Sequence, residues 1–234
     1  MTLNSFFERI FCINLASSTD RLAQFSQQAG QAGIHFERFE AVAGAPDGLS
    51  IVNAQCKKGS LLLPGEVGCL LSHRAIIAKA RSEGWPSVFI FEDDVMIRPD
   101  TNQVFADLVG QVPADWDMLY LSGNHFLSMG GVLKPVDPAL PVITKANRKE
   151  PITGLYRVGG SVGAIGYGVS SRAYDAILEA TDPRTVAYQV DVVYAILQKR
   201  MQAFVLRPHL VWTPDNISTI RGKTLGFNDI TRYG

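Results

Sequence analysis

The sequence predicts an α/β fold with a mostly parallel central sheet flanked by helices. Short apolar runs at residues 10–15, 87–91 and 116–121 are rich in branched and aromatic side chains, as buried strands are. Helical stretches separate these runs, and such alternation with short links favours parallel strands covered by helices. With 234 residues, of which 47% are hydrophobic, the chain can bury the core of one domain. We therefore expect a single domain over residues 1–234.

The expected elements follow one another in α/β order. Helices are expected at residues 21–29, 64–84, 101–110, 170–180 and 188–200, and strands at residues 10–15, 35–42, 87–91, 116–121, 161–169 and 203–206. The stretch 122–151, with four prolines, is long for an unstructured link, and such segments often cover a substrate. We expect the domain to have two parts, residues 8–122 and residues 123–234.

Charge and cysteine usage exclude several classes of protein. Lys plus Arg and Asp plus Glu both number 22, so no overall basic field exists to recruit nucleic acid. Three cysteines, Cys12, Cys56 and Cys69, lack the spacing of metal-binding motifs and fit a reducing compartment. No apolar run approaches the roughly 20 residues of a membrane span. We expect a cytoplasmic protein, with at most peripheral association at the inner face of the cytoplasmic membrane.

Three consecutive carboxylates, Glu92, Asp93 and Asp94, directly follow the apolar run at residues 87–91. Their burial at a strand end is costly unless a cation lies among them, and hard oxygen ligands suit Mg²⁺ or Mn²⁺. Because side chains alternate along a strand, we expect Glu92 and Asp94 on one face and Asp93 on the other. The alternative is a solvated strand end that leads into a loop.

Ordered sequence blocks surround this triplet. They are Cys12-Ile13-Asn14-Leu15 with Asp20-Arg21-Leu22, Phe39-Glu40-Ala41-Val42-Ala43-Gly44, Leu63-Pro64-Gly65-Glu66-Val67-Gly68-Cys69-Leu70-Leu71-Ser72-His73-Arg74, and Phe91-Glu92-Asp93-Asp94-Val95. Together they resemble glycosyltransferase family 25, the lipooligosaccharide galactosyltransferases that share ancestry with the collagen galactosyltransferase domain. Residues 163–170 and the pair Val190-Asp191 resemble two later blocks more loosely, because Ala164 and Gly166 replace the family's Thr and Ala.

The resemblance implies a GT-A-type nucleotide-sugar-binding fold and an inverting transferase. In such an enzyme we expect residues 8–122 to form the donor-binding part and residues 123–234 to form the acceptor-side part and the C-terminal tail. The implied reaction moves a hexose, galactose from UDP-galactose, to an oligosaccharide or glycolipid acceptor in lipooligosaccharide or surface-polysaccharide biosynthesis. It implies Mn²⁺ or Mg²⁺ held by Asp94, with Glu92 as a ligand directly or through water. Nucleotide-sugar contacts are expected from Asn14, Leu15, Arg21, Ser72, His73, Glu92 and Asp93.

Three side chains of the helix at residues 64–84 have open roles. Arg74 falls within the apolar stripe of this helix, and a half-buried guanidinium there is expected to pair with a carboxylate such as Asp93. Asp93 could instead orient a ribose. Ser72 and His73 flank the stripe, from which they can reach a crevice beside the acidic strand. A structural role is the alternative for His73.

Inversion by single displacement needs a base that takes the proton of the acceptor hydroxyl. Asp191 is the candidate because it opens an otherwise apolar helical segment; the alternative is a carboxylate stabilised by the helix dipole. Rival bases are Glu150, Asp182 and Asp215. His209 could complete the metal shell with Asp94 and Glu92, or be structural.

Two other functions remain open. A non-catalytic or regulatory glycan-binding protein could keep the same fold without turnover. A metal-dependent nucleotidyltransferase could use the same carboxylates but would direct attack at the α-phosphate. Released UDP indicates sugar transfer, released pyrophosphate indicates nucleotidyl transfer, and neither product indicates binding alone.

Overall fold

A computed structural model describes residues 1–44, 62–126, 131–214 and 232 and confirms the α/β class. The described helices are α1 (Leu3–Phe6), α2 (Thr19–Gln31), α3 (Pro64–Ser82), α4 (Thr101–Leu108), α5 (Tyr174–Ala180) and α6 (Val190–Leu197). The described strands are β1 (Arg9–Asn14), β2 (Glu37–Glu40), β3 (Ser87–Glu92), β4 (Met96–Ile97), β5 (Met118–Tyr120), β6 (Val132–Pro135), β7 (Ile143–Thr144), β8 (Gly154–Arg157), β9 (Gly166–Ser170), β10 (Ala203–Arg207) and β11 (Val211–Trp212).

The main sheet has the strand order β2-β1-β3-β9-β5-β10-β8-β6-β7. The pairings place β1, β2, β3, β5, β6 and β10 in one direction and β7, β8 and β9 in the other. Most described strands of the sheet therefore share a direction, as expected, and β9 lies antiparallel between β3 and β5. The strands β4 and β11 form a separate antiparallel pair.

Helices cover both faces of the sheet because its central strands are apolar on both sides. Val88 and Ile90 of β3 pack in the cluster that contains residues of α3, α5 and α6. Phe89 and Phe91 pack in the other cluster, with residues of α1, α2 and α4. This alternation produces a layer of helices on each face and explains why β3 reads as a continuous apolar run.

The carboxyl ends of β1, β3, β5 and β10 meet at one edge of the sheet. Asn14 ends β1, Glu92 ends β3, and Ile13 lies opposite Glu92 in the parallel register. The segment 122–125 follows β5, and Arg207 ends β10 next to it. Ligands of open α/β sheets gather at this edge, and the polar residues predicted to form the site follow the strands there.

Several expectations about the elements need correction. The stretch 122–151 is not simply a lid, because β6 and β7 within it extend the main sheet. The strand β8 and the short strand β11 were not expected. The strand predicted at 161–169 begins only at Gly166, after a glycine-rich turn in which Gly160 and Gly163 have positive φ.

Asp215, one of the rival bases, lies outside the described residues. None of the described helices is long and apolar enough to cross a bilayer.

Candidate active site

Asp93 is held on the α2 side of the sheet edge by two donors. The Asn14 side-chain amide donates to Asp93 Oδ2 at 2.6 Å, and Arg21 donates to Asp93 Oδ1 at 3.3 Å. Asn14 is buried, and Arg38 Nε donates to its Oδ1 at 2.9 Å, which orients the amide so that Nδ2 faces the carboxylate. Burial raises the pKa of Asp93 above its usual value, although Asn14 and Arg21 oppose that rise.

Asp94 lies in the turn just past the end of β3, where strand alternation no longer applies. Its Oδ2 is 3.7 Å from the same Arg21 nitrogen, so Arg21 bridges Asp93 and Asp94. Its Oδ1 is buried and has no hydrogen-bond partner in the described part of the chain. Burial, followed by the charge of Glu92, raises the pKa of Asp94 to about 7.

Glu92 faces α3, on the other side of the sheet. Its Oε1 is 3.3 Å from His73 Nε2 and 3.8 Å from Cys69 Sγ. The opposite facing of Glu92 and Asp93 confirms the predicted alternation. The expected pairing of Glu92 with Asp94 on one face needs correction, since Asp94 contacts Arg21 of α2, whereas Glu92 contacts His73 of α3.

His73 is buried and joins the site through Glu92. Its Nδ1 is 2.8 Å from the hydroxyl of Tyr167, which in turn donates to Tyr194 at 3.1 Å. Ser72, by contrast, is turned away from the carboxylates. Its hydroxyl donates to Gly68 O at 2.7 Å and accepts from Val42 N at 2.8 Å. The expected contact of Ser72 with a nucleotide sugar stays a prediction.

The prediction that Arg74 pairs with the Asp93 carboxylate is wrong. Arg74 NH1 donates to the Leu178 carbonyl and, at 3.1 Å, to the Thr181 hydroxyl. Both acceptors lie at the C-terminal end of α5, where carbonyl groups lack helical partners. Arg74 therefore joins α3 to α5. The guanidinium beside Asp93, which was expected from Arg74, comes from Arg21.

Asp191 lies in the first turn of α6, as predicted. Its Oδ1 accepts from Val192 N at 2.8 Å and its Oδ2 accepts from Gly163 N at 3.3 Å. Residues of α6 pack in the same cluster as residues of α3, so Asp191 lies on the α3 side of the sheet with Glu92. The charge of Asp191 contributes to raising the pKa of Cys69. Among its rivals, Asp182 is paired with Arg184 at 2.5 Å, and Glu150 is exposed.

His209 belongs to a different group of buried polar residues. Its Nε2 is 3.0 Å from His125 Nε2, and Arg207 NH1 donates to the same atom at 3.4 Å. Ser161 Oγ lies 2.5 Å from the other ring nitrogen of His125, whose pKa burial lowers to about 3. Within the described ranges, His209 does not join Asp94 and Glu92 in a group with metal-ligand spacing, so the expected three-ligand shell is not assembled.

The arrangement fits a divalent cation at Asp94. Asp93 and Asp94 share the single guanidinium of Arg21. A buried carboxylate oxygen needs a hydrogen-bond partner, and Asp94 Oδ1 has none among the described residues. A hard cation would supply the missing partner. Leu15, whose carbonyl accepts from Ser18 N at 2.9 Å, contributes to the loop between β1 and α2 that brings Arg21 to the site.

The sequence pattern missed some contributors to this site. Arg38 orients Asn14, and Cys69 and Tyr167 flank His73. Cys69 and His73 are four residues apart, so their common helix face could have been predicted. The partners Arg38 and Tyr167 depend on strand pairing, which local patterns do not contain.

Comparison with known proteins agrees with the resemblance noted in the motifs. The chain is 33% identical over 99 residues to the lacto-N-neotetraose biosynthesis glycosyltransferase LgtE of Neisseria meningitidis, covering 41% of this chain and 35% of LgtE. It is 29% identical over 128 residues to the probable inactive glycosyltransferase 25 family member 3 of Bos taurus, covering 49% of this chain and 22% of that protein. These alignments therefore span well under two thirds of either relative.

Among solved structures, the crystal structure of A197 from STIV is similar with a TM-score of 0.45 and 12% identity, covering 88% of this chain and 85% of that chain. The match to "Glycosyltransferase family 25 (LPS biosynthesis protein)" extends over residues 7–194. That range includes Asn14, the acidic triplet and Asp191. The chain therefore belongs to glycosyltransferase family 25.

Proposed function

We propose that this protein is an inverting, metal-dependent glycosyltransferase that moves a hexose, galactose from UDP-galactose, to a glycan acceptor in lipooligosaccharide or surface-polysaccharide biosynthesis. The observation that carries the proposal is the end of β3. Asp93 and Asp94 share Arg21 there, next to Glu92, and Asp94 Oδ1 is buried without a hydrogen bond from the described residues. Such a place suits the diphosphate of a nucleotide sugar with its cation.

Asp94 would hold Mn²⁺ or Mg²⁺, with Glu92 contributing directly or through water. When bound, the cation supplies positive charge that stabilises the departing diphosphate. Arg21 adds a guanidinium next to both aspartates and, at 27% side-chain exposure, can also meet a phosphate oxygen. Asn14 and Arg38 act indirectly, because they hold Asp93 and through it the position of Arg21.

Asp191 is the proposed base. In a single displacement the acceptor oxygen bonds to the anomeric carbon as the bond from that carbon to the diphosphate breaks, and Asp191 takes the acceptor proton. The amides of Gly163 and Val192 hold its carboxylate at the start of α6. A fixed carboxylate on the α3 side of the edge can approach the sugar from the side opposite the leaving group.

The test is a screen of nucleotide sugars for Mn²⁺-dependent release of UDP in the presence of glycan acceptors. We expect UDP-galactose to give UDP and a galactosylated acceptor. Asp94→Ala should lower turnover at least about a hundredfold, because the carboxylate that holds the cation is lost. Asp115→Ala is the matched control, since Asp115 is exposed and remote in the fold from the end of β3.

The same screen separates the other candidate functions. Release of pyrophosphate would indicate a nucleotidyltransferase. Donor binding without any product would indicate a binding protein, an outcome worth testing because the bovine relative is named as a probable inactive member. Turnover of Asp94→Ala at the rate of the parent would contradict the role assigned to the acidic triplet.

A further inference from the structure

Three side chains of different chemistry meet between α3 and the end of β3. Cys69 and His73 lie one turn apart on α3, and Glu92 reaches them from β3. Their Sγ, Nε2 and carboxylate oxygen atoms all lie within 4.8 Å of one another. Across the described ranges, no other set of three or more His, Cys, Asp or Glu side chains has this spacing.

The distances match ligands around one ion better than direct hydrogen bonds. His73 Nε2 and Glu92 Oε1 are 3.3 Å apart, and Cys69 Sγ and Glu92 Oε1 are 3.8 Å apart. Usual zinc bond lengths at a tetrahedral angle separate a nitrogen and an oxygen ligand by about 3.4 Å, and a sulfur and an oxygen ligand by about 3.6 Å. A nitrogen–oxygen distance of 3.3 Å is long for a charge-assisted hydrogen bond.

The orientation of His73 adds an independent observation. When the hydroxyl of Tyr167 donates its only proton to Tyr194, 3.1 Å away, the 2.8 Å contact with His73 is one in which Nδ1–H donates to Tyr167. In neutral His73 this leaves a lone pair on Nε2, directed at Glu92 and Cys69. Metal-binding histidines are commonly held in this way by a partner on the second ring nitrogen.

We propose that Cys69, His73 and Glu92 form a binding site for a thiophilic divalent cation of the zinc class. Sulfur and imidazole ligands favour Zn²⁺ or Co²⁺ over Mg²⁺ and Mn²⁺, which prefer oxygen. The Cys69 thiol releases its proton to solvent when the cation binds. The resulting thiolate and the Glu92 carboxylate balance the two positive charges of the ion. The side chain of Glu92 is 27% exposed, so the ion can reach the site from solvent.

The site has Glu92 in common with the cation place at Asp94 but differs from it in its other ligands. Glu92 Oε1 turns toward α3, whereas Asp94 turns toward Arg21 on α2. An ion bound by Cys69 and His73 would commit Glu92 Oε1 to the α3 side and leave Asp94 as the carboxylate open to a hard cation. The inference does not rest on sugar transfer, because binding of the ion requires neither donor nor acceptor.

The experiment is a titration of the metal-free full chain with Co²⁺, followed by the thiolate-to-cobalt charge-transfer absorption. We expect a band that Zn²⁺ abolishes by displacement and that excess Mn²⁺ leaves in place. Cys69→Ser should remove the band, whereas Cys12→Ala and Cys56→Ser should retain it. A parent without the band, or a band that survives in Cys69→Ser, would overturn the proposal.

Two further variants keep the test decisive if Cys69→Ser does not fold. Tyr167→Phe should weaken Co²⁺ binding about ten- to a hundredfold, as loss of such supporting partners does. Asp94→Asn should give the same charge-transfer band at the same Co²⁺ concentration as the parent, because Asp94 is not a ligand of this site. Unchanged affinity in folded Tyr167→Phe, or loss of the band in folded Asp94→Asn, would place the ion elsewhere and refute the assignment.

Discussion

Asn14 and Asp93, which are 79 residues apart in sequence, are joined at the sheet edge by a 2.6 Å hydrogen bond. The bond links the end of β1 to the end of β3, two strands that are direct neighbours in the sheet. Because Asn14 also accepts from Arg38, one buried amide connects the acidic triplet to the β2 strand as well. The stability of the site should therefore depend on Asn14.

Asn14→Ala should lower the free energy of unfolding by about 1.5–3 kcal/mol, as loss of a hydrogen bond to a charged group does. The residual Asp93 carboxylate would keep only Arg21 as a described donor. Urea denaturation of the metal-free protein measures the change. Gln24→Ala, at an exposed position of α2, serves as the control and should stay within about 0.5 kcal/mol of the parent. Equal midpoints for Asn14→Ala and the parent would contradict the link.

Stability should fall with rising pH because of Asp94. Its pKa is about 7 in the folded protein against a usual value of 3.8, so the folded state binds the proton more tightly between these values. The free energy of unfolding therefore decreases as pH rises through this window, and the loss is complete above the folded pKa. Asp94→Asn, which stays neutral, should be more stable than the parent at about pH 8 by up to roughly 4 kcal/mol.

Denaturation curves in the presence of a chelator, at several pH values from about 4 to about 8, measure this effect. Asp115→Asn is the control and should follow the parent at every pH. At the acidic end, where Asp94 is protonated in the parent, Asp94→Asn and the parent should converge. A constant difference between the two proteins across the range would rule out titration of Asp94 as the cause.

Much of the fold could be predicted because its signals are local. The apolar runs located β1, β3 and β5, and Pro64 and Gly84 bounded α3 closely. The antiparallel position of β9 and the strands β6 to β8 could not be predicted, since they depend on pairing between distant segments. The sequence pattern of residues 166–170 indicates a strand but does not indicate the direction of that strand in the sheet.

In the site, too, the features with local sequence signals could be predicted, and those that depend on contacts between distant segments could not. The positions of Asn14, Arg21 and the acidic triplet follow from strand ends that meet at one edge, and the structure brings them together. The partner of Arg74 could not be predicted, because a half-buried guanidinium is satisfied as well by helix-terminal carbonyls as by a carboxylate. The pairing of His209 with His125 depends on the contact of two segments that are 84 residues apart.

Asp191→Asn should lower kcat by about 10²- to 10⁴-fold, as loss of a general base does. Asn keeps a side-chain oxygen that can accept from Gly163 N or Val192 N, so the start of α6 should remain intact. The affinity for UDP-sugar, measured by calorimetry, should change little because Asp191 acts on the acceptor. Asp182→Asn tests the rival and should leave kcat unchanged. A full effect in Asp182→Asn instead would transfer the role of base to that residue.

Arg74 and Arg81 provide a matched pair, since both lie on α3 and both contact α5. Arg74→Met should lower the free energy of unfolding by about 1–3 kcal/mol, because it removes donors from Leu178 O and Thr181. Arg81→Met should cost less than about 1 kcal/mol, because its ion pair with Asp175 is exposed. Neither variant should alter the KM for the donor. A donor KM raised selectively in Arg74→Met would instead indicate that Arg74 contacts the donor.

Gly68 and Gly30 should respond oppositely to alanine. A Cβ at Gly68 would lie 2.5 Å from Val42 O and 2.9 Å from Gly44 N, two backbone atoms that cannot swing aside. Gly68→Ala should therefore cost about 1–3 kcal/mol by overpacking. A Cβ at Gly30 meets nothing within 4 Å, so Gly30→Ala should stabilise α2 by about 0.5–1 kcal/mol.

Thermal and urea unfolding of the two glycine variants measure these changes. Because the hydroxyl of Ser72 accepts from Val42 N, the shift forced by Gly68→Ala should also disturb that bond. Ser72→Ala, which removes the bond but adds no atom, separates the two effects and should be destabilising by less than Gly68→Ala. If Gly68→Ala were as stable as Gly30→Ala, the close approach of α3 to residues 42–44 would be wrong, and the glycine of this block would need another explanation.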